Sequence, residues 1–510
     1  MRWSEKRSRE RIAGYVKDAE GTEVKPMVRE MDLENLSETR CREIQGAHVY
    51  MELFGISRLV NEIQSPNERK RLIQAVHIFQ REVGRIEAAV GATSIHFQAS
   101  RAHGLVYLPI NDKAEHAKRA VLAQLIVDRF ERVLRDAYPQ FDSVRVYSGS
   151  DRGLAIGTRN GSYGDRELLF IGSPANKAAK LLPEGGPRRL TQDIVDCLPE
   201  SLKKHATKDD LGACALARPS QAEFETLLNE FEIDWSEDAS RQRVADDKMQ
   251  FPLSDIELNG ARVKIKFDDL SIYDSKYVLA ATSYGDVSGF TAYVESKRTD
   301  DAKAEALRAF HVIRREQAQV VKTDYDAIRV QYQGDRIQGL THLPEDDDAA
   351  IAKSSVEMAI GLQSSFEITL KEALPQIAEV GLAVGIGLGK TVATKLGRRA
   401  HRDRVCLGEA VSRAEHNEER VTKGDIGIDK ATFDELDDDL KARFSWDASA
   451  QCYVAKGLTW RKIEAEKAAK AASSDSMFIG ATAGGTRVLP TATPGTRRVT
   501  PGRTWGPSRL

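Results

Sequence analysis

The chain reads as an α+β protein made of one domain pattern used twice, each copy a mainly antiparallel sheet packed with helices. Three observations predict this. Each half runs strand, long helix, hairpin, long helix, strands, short helix. Short motifs of the first half return in the same order in the second. Composition is that of an ordinary globular protein, with 510 residues, 41% hydrophobic and 30% charged. That length has room for roughly two to four domains.

The balance of charge excludes a general attraction to nucleic acid or membrane. Lys and Arg total 75 against 77 Asp and Glu, a net charge of -2. Five scattered cysteines, Cys41, Cys197, Cys214, Cys406 and Cys452, show no metal-ligand spacing and fit a reducing compartment. The opening Met-Arg-Trp-Ser-Glu-Lys-Arg lacks the apolar run of a signal peptide, and no stretch reads as a membrane span. The expectation is a cytoplasmic protein.

Residues 1–40 are dense in charge and read as a partly helical arm. Residues 41–185 form the first copy. In it Gly46–Leu53 reads as a strand, and Asn67–Val90 as a helix with Leu72, Ile73, Val76, Phe79, Val83 and Ile86 on one face. Ser94–Phe97 and Leu105–Leu108 read as a hairpin, Lys113–Leu134 as a second helix, and Arg145–Tyr147 with Gly153–Gly157 as a second hairpin. Leu168–Gly172 is a short buried strand before a helix at Pro174–Leu182. Residues 186–265 read as a connector of mixed character. Residues 266–445 repeat the first copy. Residues 446–475 contain a C-terminal helix. Residues 476–510 form a basic tail rich in Gly, Pro, Thr and Arg that reads as disordered.

The second copy is organised around Ser283–Tyr293, Ser-Tyr-Gly-Asp-Val-Ser-Gly-Phe-Thr-Ala-Tyr. A strand ends at Asp286, Gly289 permits a tight turn, and a helix opens near Thr291. Backbone N–H groups of Val287, Ser288, Gly289 and Phe290 are placed to hold phosphate oxygens. Arg329–Gly339 reads as a hairpin with Gly334-Asp335 at its tip. Asp286 and Asp335 together offer two hard oxygen ligands for Mg²⁺ or Mn²⁺. Either motif alone also occurs as an ordinary surface turn.

The two copies differ where chemistry is expected. Asp286 stands opposite Glu52, and Asp335 opposite Ser100, so the second copy is the better cation holder. The asymmetry then reverses. The first copy has Gly172-Ser-Pro-Ala-Asn176-Lys-Ala-Ala-Lys180, with Asn176 and Lys180 on one helix face, where the second has Ser412 and His416. One composite site shared by unequal halves accounts for both losses.

With these residues in view, the chain resembles the class III nucleotidyl cyclases. Gly285-Asp-Val-Ser-Gly-Phe-Thr291 resembles the family's first metal motif, Gly334-Asp335 its second, and Gly172…Asn176…Lys180 its Gly…Asn…Arg segment with lysine in place of arginine. The resemblance implies two ferredoxin-like domains, paired as a pseudo-heterodimer or within a homodimer. It also implies two divalent cations held by Asp286 and Asp335, with Asn176 on the ribose and Lys180 on the α-phosphate. Arg402 and Arg404, in the stretch before Gly408, are expected on the β- and γ-phosphates.

By the same resemblance the base is read at about His96 and Leu169, with Tyr50, Phe97 and Arg101 nearby. Leu169 offers an adenine amino group nothing, whereas His and Arg donors suit the carbonyls of uracil. The chain is most similar to the pyrimidine cyclases of bacterial phage defence. The resemblance implies conversion of UTP to 3′,5′-cyclic UMP for a separate cyclic-nucleotide-responsive effector. Three alternatives stay open: a cytidylate cyclase, an adenylate or guanylate cyclase, and a non-catalytic nucleotide-binding regulator.

Overall fold

The structure is a computed structural model that describes residues 2–160, 167–182, 186–210, 212–398 and 401–480. Strands of the first half are β1 (Glu23–Pro26), β2 (Arg40–Phe54), β3 (Thr93–Gln98), β4 (Arg101–Val106), β5 (Arg145–Asn160), β6 (Glu167–Ile171), β7 (Arg188–Leu190), β8 (Ala206–Lys208) and β9 (Cys214–Leu216). The second half has β10 (Glu257–Asn259), β11 (Asp274–Ser288), β12 (Ile328–Gln333), β13 (Arg336–Thr341), β14 (Gly381–Arg398), β15 (His401–Leu407), β16 (Asp425–Ile428), β17 (Ser445–Asp447) and β18 (Cys452–Lys456). The ten helices that matter below are α1 (Glu5–Asp18), α2 (Ile56–Glu62), α3 (Pro66–Ala89), α4 (Lys113–Ala137), α5 (Ser173–Lys180), α6 (Glu237–Gln250), α7 (Phe290–Glu295), α8 (Asp300–Gln319), α9 (Asp348–Ser364) and α10 (Glu409–Arg420).

Duplication is visible in the topology. The first sheet runs β3-β4-β2-β5-β7-β9-β8, with β1 beside β2 and β6 beside β5. The second runs β12-β13-β11-β14-β16-β18-β17, with β10 beside β11 and β15 beside β14. Each strand of one order has its counterpart in the other. Part of the stretch read as a connector, β7 to β9, therefore completes the first sheet. In α3 the apolar face is buried as expected from its period, from Leu72 to Ile86.

One expectation is corrected. Arg145–Tyr147 and Gly153–Gly157 are not two arms of a hairpin but parts of the single strand β5. Glycines in this strand serve close approach. A Cβ at Gly149 would lie 2.4 Å from the Ala178 carbonyl oxygen, and one at Gly153 would lie 2.8 Å from Pro174. They let α5 lie directly on the strand.

The repeat also reaches further back than the motifs indicated. Each half opens with a helix that packs on the other half. On α1, Ser8 Oγ donates to Glu316 of α8 at 2.8 Å, and Arg11 Nε donates to the same carboxylate at 2.9 Å. On α6, Ser240 Oγ donates to Glu82 of α3 at 2.8 Å, and Arg243 Nε donates to that carboxylate at 3.0 Å. The sequence signal is Ser8-Arg-Glu-Arg11 against Ser240-Arg-Gln-Arg243. The halves are pinned again between their edge strands: Phe97 N donates to Asp403 at 2.8 Å, and Tyr332 N donates to Glu167 at 2.8 Å. The helix Trp460–Gly480 leads into a separate unit from Arg461 onward. Most of the basic tail, from residue 481, lies outside the described residues.

Candidate active site

Asp286 sits near the end of β11, in register with Arg336 of β13 and Ala383 of β14. Asp335 occupies the tip between β12 and β13, where Gly334 takes a φ of 64° and so turns the chain without a Cβ penalty. Burial pushes the Asp335 carboxyl up to about 8, and the Asp286 charge adds to it. The effect of the Asp286 charge on Asp335 places the two carboxylates near one another. On the strand beside them, Arg336 pairs with Glu415 at 2.9 Å and Glu418 at 2.7 Å on α10. Past Asp286 the chain turns at Gly289, φ 86°, which opens α7.

Across from α7 lies α5 of the first half. Asn176 Nδ2 donates to Thr291 Oγ1 at 2.9 Å, and the Ser173 amide donates to the Glu295 carboxylate. One turn after Asn176, Lys180 is exposed on the same helix face and has no partner among the described residues. The side chain of Phe290 is anchored in the core, its ring 5.0 Å from that of Phe310, which leaves its amide as the group available to a ligand. The structure thus brings together Asn176, Thr291 and the turn after Asp286, from two different halves.

The counterpart location on the first half is filled with ion pairs. Arg101 Nε donates to Glu52 at 2.9 Å, and its Nη1 lies 3.5 Å from Glu415, which also holds Arg336. Arg101, expected near a pyrimidine carbonyl, is committed to neutralising Glu52 instead. Ser100 supplies no second carboxylate beside Glu52. Tyr50 is buried, 7% exposed, stacked on His103 at 4.3 Å and packed under Ala178 and Leu182 of its own half. It is a core residue. His103 in turn hydrogen-bonds His48 at 2.9 Å, and burial holds both imidazoles neutral.

His96, Phe97, Arg402 and Arg404 line a different cleft of about 620 Å³ between the halves, together with Leu168 and Lys395. Asp286, Asp335, Asn176 and Lys180 do not line it. Lys395 lies roughly 40 Å further along β14 than Ala383, the partner of Asp286, at about 3.3 Å per residue. In that cleft Arg404 reaches Asp268 at 3.2 Å. Leu169 is buried, while its neighbour Leu168 faces the cleft, as strand alternation requires. Arg402 and Arg404 are therefore not brought to the carboxylate pair.

No family model matches the chain. Among solved structures it is similar to a class III adenylyl cyclase-like ATP-binding protein from Pseudomonas aeruginosa. The TM-score is 0.77 at 24% identity, covering 90% of this chain and 98% of that one. The chain has the class III cyclase fold. Both cyclase-like halves lie in a single polypeptide and pair with each other. Two curated relatives, both named uridylate cyclase, extend the similarity in sequence. The one from Pseudomonas aeruginosa is 28% identical over 459 residues, 85% of this chain and 86% of the relative. The one from a Rhizobium species is 28% identical over 402 residues, 73% of this chain and 75% of the relative. Sequence reasoning reads Thr291 as a helix opener without its contact to Asn176, and it misses Arg314, Arg336 and Glu418 at the site. Only Arg314 carried a readable signal, through the paired segments His77…Glu82 and His311…Glu316.

Proposed function

We propose that this chain is a uridylate cyclase, converting UTP to 3′,5′-cyclic UMP and pyrophosphate at one composite site per chain. The observation that carries the reading is the meeting of two unequal contributions: the Asp286–Asp335 pair of one half and the Asn176–Lys180 face of the other, joined at Thr291. The uracil preference is supported by the curated relatives named uridylate cyclase.

The donor set fits divalent cations. Two hard carboxylates, both half-buried, stand near enough for the charge of Asp286 to raise Asp335, a cost that a bound cation would reverse. Bound to Asp286 and Asp335, Mn²⁺ or Mg²⁺ would lower the pKa of the ribose 3′-hydroxyl and offset charge on the leaving pyrophosphate. The chain's own groups do the rest. Amides of Val287 to Phe290 hold the phosphates against the turn. Asn176 orients the ribose so that the 3′-oxygen faces the α-phosphorus, which supplies the entropic part of the rate. Lys180 offsets charge on the α-phosphate as the new P–O bond forms and the bond to pyrophosphate breaks. The 3′-hydroxyl proton leaves to solvent.

In the wider reading the product is a second messenger in antiviral defence, made in the cytoplasm by a homodimer and sensed by a separate effector. The deciding experiment is incubation with ATP, GTP, CTP and UTP separately, each with Mn²⁺, followed by mass spectrometry. Cyclic UMP should be the main product. Cyclic CMP, AMP or GMP as the main product would reject the substrate, and no product from any of the four would favour a nucleotide-binding regulator.

A further inference from the structure

Beneath the tip that carries Asp335 lies a buried arginine. Arg314, on α8, is 0% exposed. Its Nη1 donates to the carbonyl oxygen of Gly334, the residue just before Asp335. Its guanidinium lies 3.5 Å from the centre of the Tyr332 ring and 4.9 Å from that of Phe310. Nε and Nη2 have no hydrogen-bond partner among the described residues. A guanidinium buried with donors unmet is costly unless opposite charge stands close by. The carboxylates of Glu167 and, less strongly, Asp335 act on it from nearby.

The other half supplies an internal control. His77-Ile-Phe-Gln80-Arg-Glu82 aligns with His311-Val-Ile-Arg314-Arg-Glu316. Gln80 is also 0% exposed, and its Nε2 donates to the Ala99 carbonyl at 2.9 Å, at the tip that carries Ser100. Ala99 has a φ of 53° and Gly334 one of 64°, so the two tips turn alike. There an amide meets the tip with one hydrogen bond, whereas under the Asp335 tip a guanidinium both donates to the backbone and stacks on Tyr332 and Phe310. A cation is used only under the tip that bears a carboxylate.

We propose that Arg314 is a positioning residue for the reaction: by donating to Gly334 and stacking on Tyr332 and Phe310 it fixes the Gly334–Asp335 tip, without touching substrate. This inference rests on the cation-holding role proposed above for that pair. Removing the guanidinium leaves the carboxylates no less attractive to a cation but, with the stacking on Tyr332 and Phe310 lost, loosens their placement. Turnover and cation response should therefore separate.

The test is R314Q, which installs the residue used by the other half, assayed for turnover against Mn²⁺ concentration beside thermal unfolding. Turnover should fall on the order of 10–100-fold, as for other groups that orient metal-binding side chains. The Mn²⁺ concentration for half-maximal rate should be unchanged or lower. Wild-type turnover would overturn the proposal. So would a half-maximal Mn²⁺ concentration that rises in proportion to the loss of turnover. Should R314Q not fold, R314K decides, since it keeps the charge but not the fork: reduced turnover with a wild-type Mn²⁺ response supports the role, and wild-type turnover overturns it. Asp286→Asn run in parallel separates the two readings. An active D286N rejects the cation pair itself, whereas an inactive D286N beside a wild-type R314Q rejects Arg314 alone.

Discussion

Asp286→Asn is expected to cut cyclic nucleotide production by about 10³-fold or more while leaving the fold intact. Loss of a cation ligand removes several kcal/mol of charge stabilisation, and each ~1.4 kcal/mol is tenfold in rate. The variant should also carry a stability signature. The Asp335 carboxyl titrates at about 8 in the folded chain, against about 3.9 unfolded. Its folded form therefore binds the proton more tightly. Stability from this group is full below pH ~4 and is lost as pH rises toward 8. Asn at position 286 removes part of the repulsion, so in metal-free buffer at neutral pH the Tm should equal or exceed that of the wild type. Glu52→Gln, the matching change in the first half, should leave activity within a few-fold, because among the described residues Glu52 holds Arg101 alone. Circular dichroism, thermal unfolding and a product assay check all of this. Full activity in D286N would end the reading of Asp286 as a cation ligand, and equal losses in both variants would indicate two working sites.

Lys180→Ala is expected to lower kcat on the order of 10²–10³-fold, the usual effect of removing one group that meets developing charge. KM for UTP should change only a few-fold, since the contact strengthens in the transition state rather than on binding. Lys180→Arg should retain most of the rate. Thermal stability should not move, because the side chain is exposed and has no partner among the described residues. Steady-state kinetics on the two variants suffices. An unchanged kcat in K180A would remove the lysine from the chemistry, and a large rise in KM alone would make it a binding group.

Much of this arrangement was legible in the residues. The ordered recurrence of short motifs indicated the duplication, and the strand-turn-helix at Asp286 and the hairpin tip at Asp335 formed where their spacing implied. The four-residue step from Asn176 to Lys180 placed both on one face. What was not legible depended on partners chosen in three dimensions. Arg101 has a long side chain that could serve a substrate or an acid, and only the fold shows that Glu52 and Glu415 take it. Arg402 and Arg404 looked close to the site because they are near Gly408 in sequence. Strand β15, running antiparallel to β14, carries them the other way. Arg145–Tyr147 and Gly153–Gly157 read as two arms of a hairpin because a sequence does not show that the glycines between and within them make room for a helix lying on one continuous strand. The swapped opening helices rest on a four-residue similarity, too short to read before the contacts of Glu316 and Glu82 are known.

The most direct measurement is to mix two inactive chains, D286N and K180A, and assay cyclic UMP. Asn176 meets Thr291 of its own polypeptide, so each active site needs both contributions from one chain. Every molecule in the mixture then lacks one of them, and no activity should return. Recovery toward a quarter or more of the wild-type rate would show that sites assemble between chains, and would contradict the pairing of halves within one polypeptide.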